Sequence, residues 1–149
     1  MTTLDIKNVP GTRFGLPFGC SFNVGVKESV QSKLKPGEQL TNATALKILK
    51  RIKLESDIKS FLTKPIVAIP LSIGVLALGL GLTAVAGVVA FVAGLFFAGL
   101  GGGMLGFCAE NSLNGFLPNL SKAYRIQSIQ ASKYIRQIDA AEGEINFIV

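Results

Sequence analysis

Apolar and polar positions are interleaved at the two ends of this chain and stop being interleaved in its middle. From Pro65 to Ala109 there is no charged residue, and Ser72 and Thr83 are the only hydroxyls. A helix at an aqueous surface keeps one solvated face. A stretch of 45 residues without one far exceeds the length that suggests a bilayer span. The pattern predicts an all-α membrane protein; a buried core hairpin in a larger soluble assembly is the competing reading.

As one helix, the apolar block would be roughly 67 Å long against a hydrocarbon layer of about 30 Å. Two spans fit, about 65–81 and 84–108, joined by a hairpin turn at LGLGLT, where Gly79, Gly81 and Thr83 are the turn-permissive residues. Pro70 predicts a kink early in the first span. A re-entrant first segment with one true span is the alternative.

On either side of the block the periodicity becomes helical. Residues 42–62 read as a basic amphipathic helix capped by Thr41 or Asn42, within a 41–64 segment. Its apolar positions form two groups on different faces: Ala45, Ile48, Leu49 and Ile52, then Leu54, Ile58, Phe61 and Leu62. Such a helix either lies partly in the head-group layer or packs, solvated, on the C-terminal segment. Residues 119–141, capped by Asn119 within a cytosolic 110–149 segment, carry Leu120, Tyr124, Gln127, Ala131, Tyr134, Ile138 and Ala141 at 4-3 spacing, the seam of a coiled coil. Leu120, Tyr124, Ala131, Tyr134 and Ile138 would meet a partner helix or the 42–62 helix.

Residues 1–40 are loop-rich, with a strand-like alternation at Phe22–Val26 and a turn at Lys35-Pro36-Gly37. Loosely structured chain is expected there, with a short hairpin at most, and the acidic-then-apolar tail DAAEGEINFIV reads as an exposed terminus. The polar start predicts no cleavable signal peptide, and Thr2 no myristoylation.

Small residues recur at every fourth position of the second span: Ala86, Ala90, Gly94, Ala98, Gly102 and Gly106. On a helix they form a ridge that lets another backbone come close, and in lipid such contact drives association. The ridge is expected to pack on the first span, through Ala77 and Gly81, or on another copy. Two spacing matches to a dinucleotide fingerprint, at Gly79 and Gly101, lack the strand, the charge and the distal acid that the chemistry requires. A fusion-peptide reading of the Gly/Phe run fails for want of a secretory signal.

The net charge of +6 does not point to nucleic acid, because the basic residues crowd around the apolar block. Lys47, Lys50, Arg51, Lys53, Lys59 and Lys64 precede it; Lys122 and Arg125 follow it, then Lys133 and Arg136. Basic flanks favour the cytoplasm, and a hairpin places both there at once. With no histidine and only Cys20 and Cys108, most transition-metal sites and His-based catalytic schemes have no residues to build on. Asp57 and Glu55, two apart on a helix, do not face each other. The expectation is no enzyme, no cofactor, no metal, no nucleic acid and no small-molecule substrate.

The block PIVAIPLSIGVLALGLGLTAVAGVVAFVAGLFFAGLGGGMLGFCA, with a polar N-terminus and a helical tail, resembles in architecture the inclusion-membrane proteins and similar secreted membrane effectors of intracellular bacteria. Small hairpin subunits of large membrane complexes share that outline. Three function classes follow. The first is a non-catalytic anchor or scaffold that assembles through its small-residue ridge. The second is an oligomeric, holin-like pore, and the third a secreted membrane effector. The partners implied are the lipid bilayer, further copies of the chain and other membrane subunits.

Overall fold

Thr41 starts the first long helix by accepting the Thr44 amide on its Oγ1 (3.3 Å), while its carbonyl takes the first helical bond from Ala45 (2.8 Å). In the computed structural model, which describes residues 2–7, 13–15, 21–85 and 87–149, the elements run in the order β1 (Thr2–Asp5), β2 (Arg13–Gly15), β3 (Ser21–Asn23), α1 (Val26–Lys33), α2 (Asn42–Leu62), α3 (Pro65–Thr83), α4 (Val88–Leu113), α5 (Phe116–Asp139) and β4 (Ile145–Ile148). The protein is mostly helical, with two long apolar helices. Two units separate along the chain: Met1–Ser60 with Lys122–Val149, and Phe61–Ser121.

The first unit is a small α+β body rather than loose chain flanking helices. β1 and β4 pair in parallel, Thr2 opposite Ile145 and Asp5 opposite Ile148, while β2 and β3 pair antiparallel with Phe14 stacked on Phe22. The core joins Ile6, Val26, Val30, Leu49, Ile52 and Ala131, all 1% exposed or less. Two expectations are corrected here. Residues 1–40 supply a helix and a core strand partner, and the INFIV tail is that partner's mate, with Ile145 buried. Alternation over four residues is too short to announce a strand whose mate lies at the other end of the chain.

Asn42, offered as an alternative cap, does a different job. Its Nδ2 donates to the Gly143 carbonyl (2.9 Å) and its Oδ1 accepts the Ile145 amide (3.2 Å), fastening β4 to the start of α2. The turn expected at Lys35-Pro36-Gly37 is present, with Gly37 at φ 81°. The C-terminal helix begins earlier than its sequence reading, at Phe116, because Gly115 (φ 74°) ends α4 in a left-handed C′ position and the chain turns straight into α5.

In the second unit, α3 opens with Pro65 in its first turn and runs unbroken through Pro70 to Thr83. The link to α4 is Ala84–Gly87, with Gly87 at φ 140°, and α4 continues to Leu113. The hairpin turn therefore lies beyond the positions expected for it. Gly79 is buried in the helix–helix seam, Gly81 sits within α3, and Thr83 is its last residue, its hydroxyl donating to the Leu80 carbonyl (2.7 Å). A helix-interior glycine costs about 1 kcal/mol, and close packing against a neighbour offsets that cost.

Candidate functional site

Helices α3 and α4 pack along a seam made of small side chains. Ala68, Ser72 and Gly79 are buried on α3; Gly94, Gly101 and Cys108 are buried on α4. The α4 positions repeat every seven residues, as do Ser72 and Gly79. At three of these sites the backbones touch. A Cβ on Gly79 would fall inside the Ala98 backbone, one on Gly101 inside the Leu76 backbone, and one on Gly94 against Thr83 and the Gly79 carbonyl. Near the open end of the seam, the buried Ser72 hydroxyl donates to the Ala68 carbonyl (2.8 Å) and lies 3.7 Å from Cys108 Sγ.

The small-residue ridge read from the sequence is thereby re-registered. Ala90 is half-buried, Gly94 is buried, and Ala98 lies opposite Gly79; Gly102 and Gly106 have open space around them, and Ala86 lies outside the described residues. The reason is geometric. Four residues turn an α-helix about 400°, so a strict four-residue ridge drifts some 40° per step, whereas seven residues fall only about 20° short of two turns. The four-residue pattern and the seam therefore coincide near Gly94 and diverge by Gly102.

The outer wall of the hairpin is the reverse of its seam. Among the described residues, nineteen of the twenty-four large apolar side chains that stand exposed belong to this unit, with Ile66, Val88 and Val89 at 80% or more. At roughly 1 kcal/mol each for half-burial, water would leave on the order of 20 kcal/mol of burial unrealised. That exceeds the whole stability of an ordinary domain, about 5–15 kcal/mol. Both helices are long and apolar enough to cross a bilayer.

The basic residues expected to flank the membrane are spread over three segments. Lys47, Lys50, Arg51, Lys53 and Lys59 are on α2, Lys64 is the N-cap of α3, and Lys122 and Arg125 are on α5. Arg51 pairs with Glu55 (2.8 Å), Lys53 with Asp57 (3.2 Å), and Lys59 sits over the Tyr124 ring (5.6 Å). Lys33 of α1 also reaches Glu55 (2.8 Å). These hydrogen bonds, Lys33 foremost, hold the Glu55 carboxyl below its usual range. The hydroxyl of Ser128, then Lys53, does the same for Asp57, while burial pushes the Tyr124 phenol up.

From Ala131 on, the seam read on the C-terminal helix is filled by the chain's own first unit. Ala131 and Ile138 belong to the core with Ile48 and Leu49; Tyr134 packs against it and accepts the Lys7 amide at 3.0 Å. Leu120 is buried and Tyr124 half-buried. Of the two readings of the seam, packing on the 42–62 helix is the one seen for Ala131 and Ile138, and Val26 and Val30 of α1, unforeseen in the sequence, join the same core. What sequence reasoning missed is the polar centre of this packing. Gln127, 6% exposed, donates from Nε2 to the Gly25 carbonyl (2.8 Å) and Ser29 Oγ (2.7 Å), and its Oε1 accepts from Ser56 Oγ (2.9 Å). The available signal was a glutamine in an apolar seam together with serines at Ser56 and Ser60 on the inner face of α2.

Among the described residues, no three His, Cys, Asp or Glu side chains are grouped to hold a metal. Cys108 is a free, buried thiol, and Cys20 lies outside the described residues. No protein-family model matches the sequence, and neither curated proteins nor solved structures show a significant likeness to it.

Proposed function

We propose that this chain is a small non-catalytic integral membrane protein, an anchor or scaffold whose α3–α4 hairpin crosses the bilayer twice and leaves both termini in the cytoplasm. The observation that carries this reading is the inverted distribution of side-chain size in the second unit. Small residues close the seam, and Leu, Val, Ile and Phe stand outward. Lipid tails solvate such an exterior, and without a hydrophobic drive between helices the seam has to hold by close backbone contact. The basic flanks at Lys59, Lys64, Lys122 and Arg125 favour the cytoplasmic side for both ends. Gly102 and Gly106, open on the outer wall, are available to another copy or another membrane subunit. The tight seam and the absence of ionisable residues between Pro65 and Ala109 argue against a wet pore within one chain.

Flotation on a density gradient after alkaline extraction tests the reading. The full chain is expected to stay with membranes at alkaline pH. Release into the soluble fraction, with the helices intact by circular dichroism, would return the hairpin to a soluble assembly.

A further inference from the structure

We infer that the outward face of α2 in the first unit docks on an anionic lipid head-group layer; this rests on the membrane reading above and deepens it. The net charge of the chain is concentrated on α2 and α5. Each carries three more basic than acidic residues, and together they account for the whole +6; the basic and acidic residues elsewhere cancel.

The outward faces are also apolar. Leu54 and Ile58 on α2 are 62% and 51% exposed, and Ile129 on α5 is 60% exposed. Each lies two residues from a buried position, Leu54 from Ile52, Ile58 from Ser56 and Ile129 from Gln127. Two residues turn a helix by about 200°, so these side chains point directly away from the core, and because Ser56 and Gln127 bond across that core, Leu54 and Ile58 lie on one side of it and Ile129 on the other. This explains why α2 has apolar residues on two faces: one closes the first unit, and the other is left outward.

Cations surround the outward apolar positions of α2. Among the described residues, Lys47 and Lys50, which share the α2 face of Leu54 and Ile58, have no ion-pair partner. Apolar side chains that insert at the head-group boundary, flanked by unpaired lysines, match an anionic membrane surface in both respects. An acidic protein would satisfy the charge, but α2 continues in sequence, through Thr63 and Lys64, into the first of the two bilayer-length helices, which favours lipid as the occupant. Attraction of this kind is worth roughly fivefold in membrane affinity per cation at low salt and is screened as salt rises.

The test uses the full chain with Cys20→Ser and Cys108→Ser, carrying an environment-sensitive fluorophore at Ile58→Cys or, separately, Ile129→Cys. It is reconstituted into vesicles of phosphatidylcholine alone or with phosphatidylserine. The Ile58→Cys probe is expected to shift to the blue and to be quenched by head-group spin-labelled lipid only with phosphatidylserine, while the Ile129→Cys probe, on the far side of the core, stays aqueous. High salt, or Lys47→Gln with Lys50→Gln, should reverse the shift. Protein that floats with both vesicle types while its Ile58→Cys probe stays aqueous would overturn the lipid surface and leave the hairpin standing. A shift that depends on protein concentration and not on lipid charge would assign the face to a second copy and overturn the proposal equally. Protein that floats with neither would overturn the membrane reading and this surface with it.

Discussion

The first unit places its large apolar residues inside and joins them around one glutamine; the second places glycine, alanine and serine inside and its phenylalanines, leucines and valines outside. Burial of large side chains is what drives packing in water, so Ile6, Leu49 and Ile52 are inside where water is the solvent. On the membrane reading proposed above, that drive disappears in lipid and the closest approach of backbones takes its place, which accounts for Gly79, Gly94 and Gly101 being inside. The polar groups follow the same division. Gln127 links the N-terminus of α1, Ser29, and Ser56 of α2, whereas among the described residues of the apolar hairpin helices the side-chain polar contact between the two is that of Ser72 with Cys108.

Adjacent glycines give the largest expected effect. Gly101→Leu forces a branched side chain into the Leu76 backbone, so the helices must part, at a cost of about 3 kcal/mol or more. Gly102→Leu, one residue on, meets open space and should change hairpin stability by less than about 1 kcal/mol, while weakening any self-association through that face. Thermal unfolding and oligomer size in detergent read both. Equal loss in the two variants would mean that the seven-residue seam is not what holds the hairpin.

In the first unit the comparable lesion is polar. Gln127→Leu leaves the Gly25 carbonyl, Ser29 and Ser56 without their buried partner and should cost about 2–4 kcal/mol in denaturant unfolding. Adding Ser56→Ala to that variant should cost far less than Ser56→Ala alone, since the shared bond is already gone. Full additivity would show that the network is not coupled.

Acid gives the smallest effect and separates the units by mechanism. Glu55 and Asp57 have carboxyls held below their usual range in the folded chain. Their contribution is complete above the unfolded carboxylate range, about 4, and is lost as pH falls through the lower folded values. Hydrogen exchange, corrected for its intrinsic pH dependence, should show α1 and α2 amides losing protection on acidification while α3 and α4 keep theirs. Both side chains are at least a third exposed, so the loss is modest.

The hairpin was the legible part of the sequence, because a charge-free stretch depends only on composition. Its register was less so: a four-residue ridge and a seven-residue seam share Gly94 and part company at Gly101 against Gly102, a difference set by helix geometry and not by residue type. The turn was misplaced because Gly79 and Gly81 look like turn residues, and only the neighbouring helix reveals Gly79 as a contact. Asn42–Leu62 matched its helical pattern to the residue. The β1–β4 pairing was invisible, since it joins residues 2–5 to 145–148 with no local signal in either. Gln127 is the polar position in an otherwise largely apolar seam, and nothing local in the sequence shows that it is the seam's central bond.

Sided thiol labelling in sealed vesicles tests the central claim most directly. In a Cys20→Ser, Cys108→Ser background, single cysteines are placed by Lys35→Cys, Ser132→Cys and Val85→Cys. The expected result is labelling of the first two from one face and of the third, in the α3–α4 link, from the opposite face. Labelling of Lys35→Cys and Ser132→Cys from opposite faces would contradict the double crossing and leave α3 re-entrant.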